Sequence, residues 1–496
     1  MGNYRRPRGR SGPSSATNDT ARRARPPRPA DPRRTAYDVL AAVRERAAYA
    51  NLLLPKLLAE RQLAGRDAAF ATELTYGTLR GQGTYDAVLA ACSDRPLDKL
   101  DPPVLDVLRL GTHQLLDTRV GAYAAVATSV DLARAVAGPR VSGYVNAVLR
   151  RVSTRDLGAW LDIVAPSPAT DPDGSLAVRY SHPRWIVGAY RAALGDAAGA
   201  ELAQALEAGN ARPKVTLAAF PAGLPREDVM PPDAAPGRWS PYAFSLASGD
   251  PAPLVEAGTA AVQDEGSQLA AIALSRVPVS PGAVSPGAGP GDGEPERWLD
   301  LCAGPGGKSR LLYGLAALQG ARLAAAELHP HRAALVADAL ARARRNAAAE
   351  LPEFEVLVAD GTRPPWPAGS FDRVLVDVPC SGLGALRRRP EARWRKSEAD
   401  LKELTALQRD LLRSSLAAVR PGGVVAYVTC SPVPAETADV VTDVVAAMTG
   451  VDILDAPAVL GEVPAVSAAD PRFAQLWPHR HGTDAIFIAL LRRTAD

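Results

Sequence analysis

An all-helical region followed by an α/β domain with a doubly wound parallel sheet is the fold class predicted by this chain of 496 residues. Three observations predict it. From Ala36 to about Val152, apolar residues recur at helical spacing and no β-alternation intrudes. After Gln263, short β-branched runs alternate with Ala/Leu-rich stretches, the texture of strands and crossover helices. Each of those runs ends on an acid or a thiol. The length agrees, since single cores seldom grow far beyond about 250 residues.

Residues 1–34 hold ten arginines (Arg5, Arg6, Arg8, Arg10, Arg22, Arg23, Arg25, Arg28, Arg33, Arg34) against Asp19 and Asp31, and they read as a disordered basic arm. Such an arm either keeps the chain soluble or attaches it to RNA phosphates. The net charge of +3 is too small by itself to imply a polyanionic partner. Residues 35–155 follow as a helical bundle. Its apolar stripe runs through Leu40, Val43 and Ala47, then Leu53, Leu54, Leu57 and Leu58, then Val104, Leu105, Leu108, Leu115 and Leu116. Pro96, Pro102 and Pro103 punctuate it, and Gly138-Pro139 breaks it before a last helix with Val145, Val148 and Leu149. A linker is predicted around 165–175, and residues 176–250 form a mixed, Pro- and Gly-rich connecting segment. Residues 251–496 make the α/β domain, with 279–296 as a flexible surface insertion.

Within that domain the strand ends carry the chemistry. Arg297 to Leu299 runs into Asp300 and the turn Leu301 to Lys308; Ala321 to Ala326 ends at Glu327; Glu355 to Ala359 ends at Asp360. Phe371 to Val376 delivers Asp377, Pro379 and Cys380, and Val424 to Val428 delivers Thr429, Cys430 and Ser431. In an open parallel sheet ligands bind outside the carboxyl ends of the strands, so these groups share one crevice. Any one of the acids alone could be only a helix N-cap, and either thiol alone only a packed apolar side chain. Their joint occurrence is the signal.

The glycine turn suits a nucleotide, because glycine lets the backbone approach a ligand at a helix N-terminus. A phosphate-binding loop needs a glycine where Cys302 stands, and Gly304, Gly306 and Gly307 do not give the dinucleotide spacing. An adenosyl cofactor without a pyrophosphate remains, held at its ribose by Glu327, twenty residues beyond Gly307, and near its base by Asp360.

The words DLCAGPGGKS (300–309), VPCSGLGALRRRPEARW (378–394) and YVTCS (427–431) resemble the RsmB family, also called Sun or Fmu, of 16S ribosomal RNA cytosine-5 methyltransferases. VQDEGSQLA (262–270) and PHRHGTDAIFIALL (478–491) resemble flanking parts of the same catalytic domain. ELTYGTLR (73–80), LDPPVLDVLRLGTHQLL (100–116) and YVNAVLRR (144–151) resemble the NusB-like RNA-binding domain that the family carries in front. Gly304 departs from a usual alanine and Glu327 from a common aspartate. The resemblance implies a Rossmann-like methyltransferase domain that uses S-adenosyl-L-methionine. It assigns the cofactor to Cys302, Ala303, Gly304, Pro305, Gly306, Gly307 and Lys308, with Glu327, Asp360 and Asp377.

It also implies a mechanism. Cys430 as thiolate adds to C6 of cytosine, which makes C5 nucleophilic enough to take a methyl group. Lys308 is a candidate for the positive charge that favours the thiolate. Asp377 would bind the N3 and amine edge of the base, and Cys380 is implicated in release. The run Arg387, Arg388, Arg389, Arg393, Arg395 and Lys396, with Trp394, suits phosphate contacts and base stacking, or is a solvated charge run.

Two rival classes stand beside this reading. A DNA cytosine-5 methyltransferase would use the Pro379-Cys380 pair, against which Cys430 and the RNA-binding region argue. A non-catalytic ribosome-assembly factor would have no reason to keep both thiols and the acid. The four cysteines make neither a disulfide framework nor a zinc cluster, and Cys92 and Cys302 read as packed thiols. No uncharged apolar run reaches the roughly 18 residues of a membrane span, and no secretory signal is present. A cytoplasmic monomer is expected, with RNA, and neither DNA nor membrane, as partner.

Overall fold

The structure is a computed structural model that describes residues 1–3, 31–247, 249–279 and 295–494. Most of the basic arm and nearly all of the 279–296 insertion therefore lie outside the described residues. The first helix, Pro32–Arg46, starts where Asp31 accepts a bond from the Arg33 amide and Pro32 presets the first turn, so Arg33 and Arg34 are helical. Helices Ala50–Glu60, Gly65–Cys92, Pro102–Leu116, Ala122–Ala137 and Ser142–Val152 complete the bundle. Leu74, Leu89, Val107, Leu108, Val145 and Leu149 are fully or almost fully buried at its centre.

Helical structure then continues well past the bundle. Residues 165–175, predicted as a linker, hold a short turn and the start of helix Pro172–Arg179, which Asp171 caps by accepting from the Gly174 amide. Helices Arg184–Leu194 and Ala198–Ala208 follow. A four-stranded antiparallel sheet comes next, its strands in the order Ala235–Pro236, Ala243–Leu246, Val215–Ala219, Ala260–Val262. Local periodicity could not show this, because the helices pack on distant loops: Ile186, Val187 and Tyr190 share a core with Leu383, Leu386 and Trp477.

The large sheet carries the site. In chain order its main strands are β1 (Arg297–Asp300), β2 (Arg322–Glu327), β3 (Phe354–Val358), β4 (Phe371–Asp377), β5 (Val419–Thr429), β6 (Val451–Leu454) and β7 (Phe487–Arg493). Their order across the sheet is β6-β7-β5-β4-β1-β2-β3, and β1 to β5 run parallel. Alternate residues go to opposite faces, and both faces are buried. Trp298, Leu375, Val424 and Ala426 face the helices Glu265–Arg276 and Gly307–Leu318, whereas Leu299, Val374, Val376, Val425 and Tyr427 face the helix Asp400–Ala418.

At one edge the sheet departs from the parallel pattern. β7 is antiparallel to both β5 and β6, and Phe487 pairs with Thr429. The chain thus enters β7 at the carboxyl end of β5, which brings residues 482–485 alongside the cysteine loops. Among the described residues no helix is long and apolar enough to cross a membrane, and no group of three or more His, Cys, Asp or Glu side chains could hold a metal ion.

Candidate active site

The glycine turn between β1 and the helix Gly307–Leu318 is built around a left-handed residue. Gly306 has φ 103°, which an L side chain adopts only with strain, and its amide closes the turn on the Ala303 carbonyl at 2.7 Å. Below the turn, Ser309 donates to Asp300 Oδ2 at 2.7 Å, while Asp300 Oδ1 is buried with no hydrogen-bond partner. Burial, added to by the charge of Asp377, pushes the Asp300 carboxyl up to about 7. The Cys302 thiol is likewise pushed up, chiefly by burial, which agrees with its reading as a packed thiol.

Glu327, at the end of β2, is 4% exposed and reaches under the turn. It accepts from the Gly304 amide at 3.0 Å and the His329 amide at 3.1 Å, and it faces Arg332 at 3.4 Å. Arg332 in turn donates to the Gly304 carbonyl at 2.6 Å. A Cβ on Gly304 would stand 2.2 Å from Glu327 Oε2, so the two departures noted in the sequence are one fit: the missing methyl makes room for the longer acid. Asp360 is solvent-facing, and its Oδ1 accepts from the Thr362 amide at 2.9 Å and hydroxyl at 2.8 Å, contacts that hold its carboxyl below the usual range. These residues fit an adenosyl cofactor. Space is open above Gly307, where an added Cβ would meet nothing within 4 Å, and acids for a ribose and a base edge stand at the neighbouring strand ends.

On the other side of β1, Lys308 Nζ donates to Asp377 Oδ2 at 2.7 Å. Burial alone would weaken the Lys308 ammonium, but Asp377 outweighs it and the group is held more strongly protonated than usual. One Asp377 oxygen is thereby occupied, leaving the other for a ligand. Beyond it, Cys380 Sγ and Cys430 Sγ lie 3.3 Å apart. That contact, first among the causes, holds the Cys430 thiol below its ordinary value and the Cys380 thiol well above it. Lys308 also favours the Cys430 thiolate, but burial and Asp377 oppose it more strongly, and the main support is Cys380, a partner sequence reasoning did not assign.

Two further groups were missed. Glu436, completely buried in the turn Pro434–Glu436, accepts from Ser381 and Ser431, the residues that follow the two cysteines. The repeated Cys-Ser pair at two strand ends was the available signal. Behind the loops, Asp264 and Asp484 are both ion-paired with Arg387 (2.7 and 2.6 Å) and Arg388 (2.7 and 3.0 Å).

That network corrects the reading of the basic run, whose arginines are mostly structural. Arg393 is completely buried and donates to the Ser181 carbonyl at 2.8 Å and Asn210 at 2.7 Å. Arg395 donates to the Ala48 carbonyl, and Glu391 accepts from the Ala50 amide at 3.1 Å. Trp394 lies so close to Gly83 that a Cβ there would be 2.5 Å from its ring. The segment after Cys380 is thus neither a solvated face nor a stacking platform; it pins the helical bundle to the catalytic loop. Arg389 is exposed, over the Tyr49 ring at 5.3 Å.

Comparisons with known proteins agree with this arrangement. Residues 291–492 match the family model described as 16S rRNA methyltransferase RsmB/F, and residues 30–154 match the NusB family. Rv1407 of Mycobacterium tuberculosis is 50% identical over 470 residues, covering 94% of this chain and 97% of that protein. Ribosomal RNA small subunit methyltransferase B of Pseudomonas syringae pv. tomato is 31% identical over 477 residues, covering 94% and 97%. The crystal structure of PH0851 superposes with a TM-score of 0.73 at 21% identity over 93% of this chain and 99% of that one, a likeness of fold.

Proposed function

The chain belongs to the RsmB/F family of 16S rRNA methyltransferases, and from that premise we propose that it methylates C5 of a cytosine in 16S rRNA through a covalent bond from Cys430 to C6. As in its family, the methyl donor is S-adenosyl-L-methionine, and RNA is the substrate. When bound, the donor supplies a methyl group activated by a sulfonium. We assign its binding to Glu327, Asp360, Asp377 and the backbone from Cys302 to Lys308. The helical region, 35–155, is assigned to holding RNA, 176–250 to connecting it with the site, and 251–496 to catalysis.

The observation that carries the proposal is the unequal sulfur pair, 3.3 Å apart across two strand ends and next to the Lys308–Asp377 ion pair. A thiolate is the nucleophilic form, and Cys430 is the member held toward it. As its sulfur bonds to C6, charge develops on the ring. Asp377, fixed by Lys308, has an oxygen left for the amine edge, so it steadies the base where that charge forms. After methylation a base, water or a group of the site, takes the C5 proton; the electron pair of the C5–H bond restores the C5–C6 double bond, and the Cys430 thiolate is expelled. Cys380, beside that sulfur, is assigned to this release. A DNA-type enzyme would attack with Cys380 and would have no use for a second sulfur 3.3 Å away, which argues against that rival.

The test is the product. Incubation with unmodified 16S rRNA and labelled donor, followed by digestion to nucleosides and mass spectrometry, yields 5-methylcytidine. A label on the exocyclic amine or the ribose would contradict the proposal.

A further inference from the structure

We propose that Glu436 is a positioning residue for the reaction: its buried carboxyl group ties the two Cys-Ser turns together and grips the Cys380 turn by both the amide and the hydroxyl of Ser381, so that Cys430 is the sulfur that attacks. The inference rests on the reading of Cys430 as nucleophile and names the group that selects it.

The geometry begins with symmetry. Two adjacent parallel strands, β4 and β5, lead into loops that carry a cysteine followed by a serine. The cysteines meet on one side at 3.3 Å, and the serine hydroxyls meet on the other at 3.2 Å. Glu436 closes the serine side. Its Oε1 accepts from the Ser381 amide at 2.7 Å and from Gln408 at 3.2 Å, and its Oε2 accepts from both serine hydroxyls, Ser431 at 2.6 Å. Gln408 also donates to the Pro379 carbonyl at 2.9 Å, so the residue before Cys380 is held by the same group. The Glu436 carbonyl accepts from Tyr427 at 2.8 Å, which anchors the clamp to β5 itself.

Every donor around the carboxyl group is a hydroxyl, an amide or a side-chain amide, and among the described residues none of these donors carries a positive charge. Four charged groups act on the pair. Lys308 favours the Cys430 thiolate, and Asp377 disfavours ionisation of both sulfurs. Asp484 opposes ionisation of Cys430 but is bound by Arg387 and Arg388. Glu436 bears on Cys380 and disfavours a second negative charge there. Two thiols this close share one proton, and the buried carboxylate decides which keeps it.

The experiment needs neither RNA nor donor. The native protein is alkylated with iodoacetamide across pH, and peptide mass mapping reads each cysteine separately. Cys430 reacts first, with a midpoint below the roughly 8.5 of a free cysteine. In Glu436→Gln, the Cys380 midpoint falls by about one unit and the lead of Cys430 over Cys380 falls about tenfold. Ser431→Ala, which keeps the charge and removes one hydroxyl, preserves the order. The proposal is overturned if Glu436→Gln keeps the native lead of Cys430 over Cys380, or if Ser431→Ala loses it as fully. Equal labelling in the native protein overturns it without any variant. Methylation by Cys430→Ala would instead remove the nucleophile assignment and leave the labelling result standing.

Discussion

The two halves of the crevice bind by different means. On the β2 side the glycine turn offers backbone and one acid, and Glu327 is satisfied by local amides and a partly exposed arginine. On the β5 side the sulfurs are set by groups from four separate places: Lys308, Asp377, the Pro434–Glu436 turn and helix Asp400–Ala418. The first half works mainly by shape, with acids already satisfied by nearby amides, hydroxyls and Arg332. The second must hold unlike protonation states side by side, and that takes buried, hydrogen-bonded polar groups.

The comparison can be broken from either side. The largest effect is expected at Cys430→Ala: methylation falls to background, while S-adenosylhomocysteine still binds with native affinity in calorimetry, since the other half is untouched. Full activity in this variant would move the nucleophile to Cys380. Asp377→Asn, which loses its charge beside Lys308, lowers single-turnover methyl transfer by about 10²–10³-fold, the range for removal of one group that stabilises developing charge.

Gly304→Ala acts on the glycine half. Its Cβ would meet Glu327 Oε2 at 2.2 Å, so the carboxylate assigned to the ribose must shift, and cofactor affinity drops by roughly tenfold. Glu327→Asp added to Gly304→Ala removes the clash and recovers most of the loss. A double variant no better than the single would show that the two positions do not share space. The remaining effect is on stability and leaves the chemical step alone. Asp300 titrates at about 7 when folded and about 3.9 when unfolded, so the folded protein holds a proton that the unfolded chain gives up between those values. Its contribution is full below about pH 4 and is lost as pH rises through about 7. Asp300→Asn removes that slope, so its stability relative to the native chain improves by at most roughly 4 kcal/mol between pH 4 and 7 in urea titrations.

What the sequence made legible follows the same division. The strand ends at Asp300, Glu327, Asp377 and Cys430 could be read because each parallel strand is a short local pattern whose last residue has a fixed destination. β7 could not be read as antiparallel, because its direction is set by pairing with β5 and not by its own apolar run. The basic run was misread because composition shows charge and not partners. Asp264 stands 123 residues from Arg387, and Ser181 stands 212 residues from Arg393. Glu436 was invisible for a related reason, as a lone acid in a Pro-rich turn becomes a clamp only when β4 and β5 lie side by side.

The most direct test of the central claim is trapping of the covalent bond. Cys380→Ala, incubated with RNA and donor, is expected to accumulate a slow band on a denaturing gel whose digest yields a Cys430 peptide bearing a methylated cytosine. Turnover at the native rate with no slow band, or a crosslinked peptide that lacks Cys430, would contradict the account.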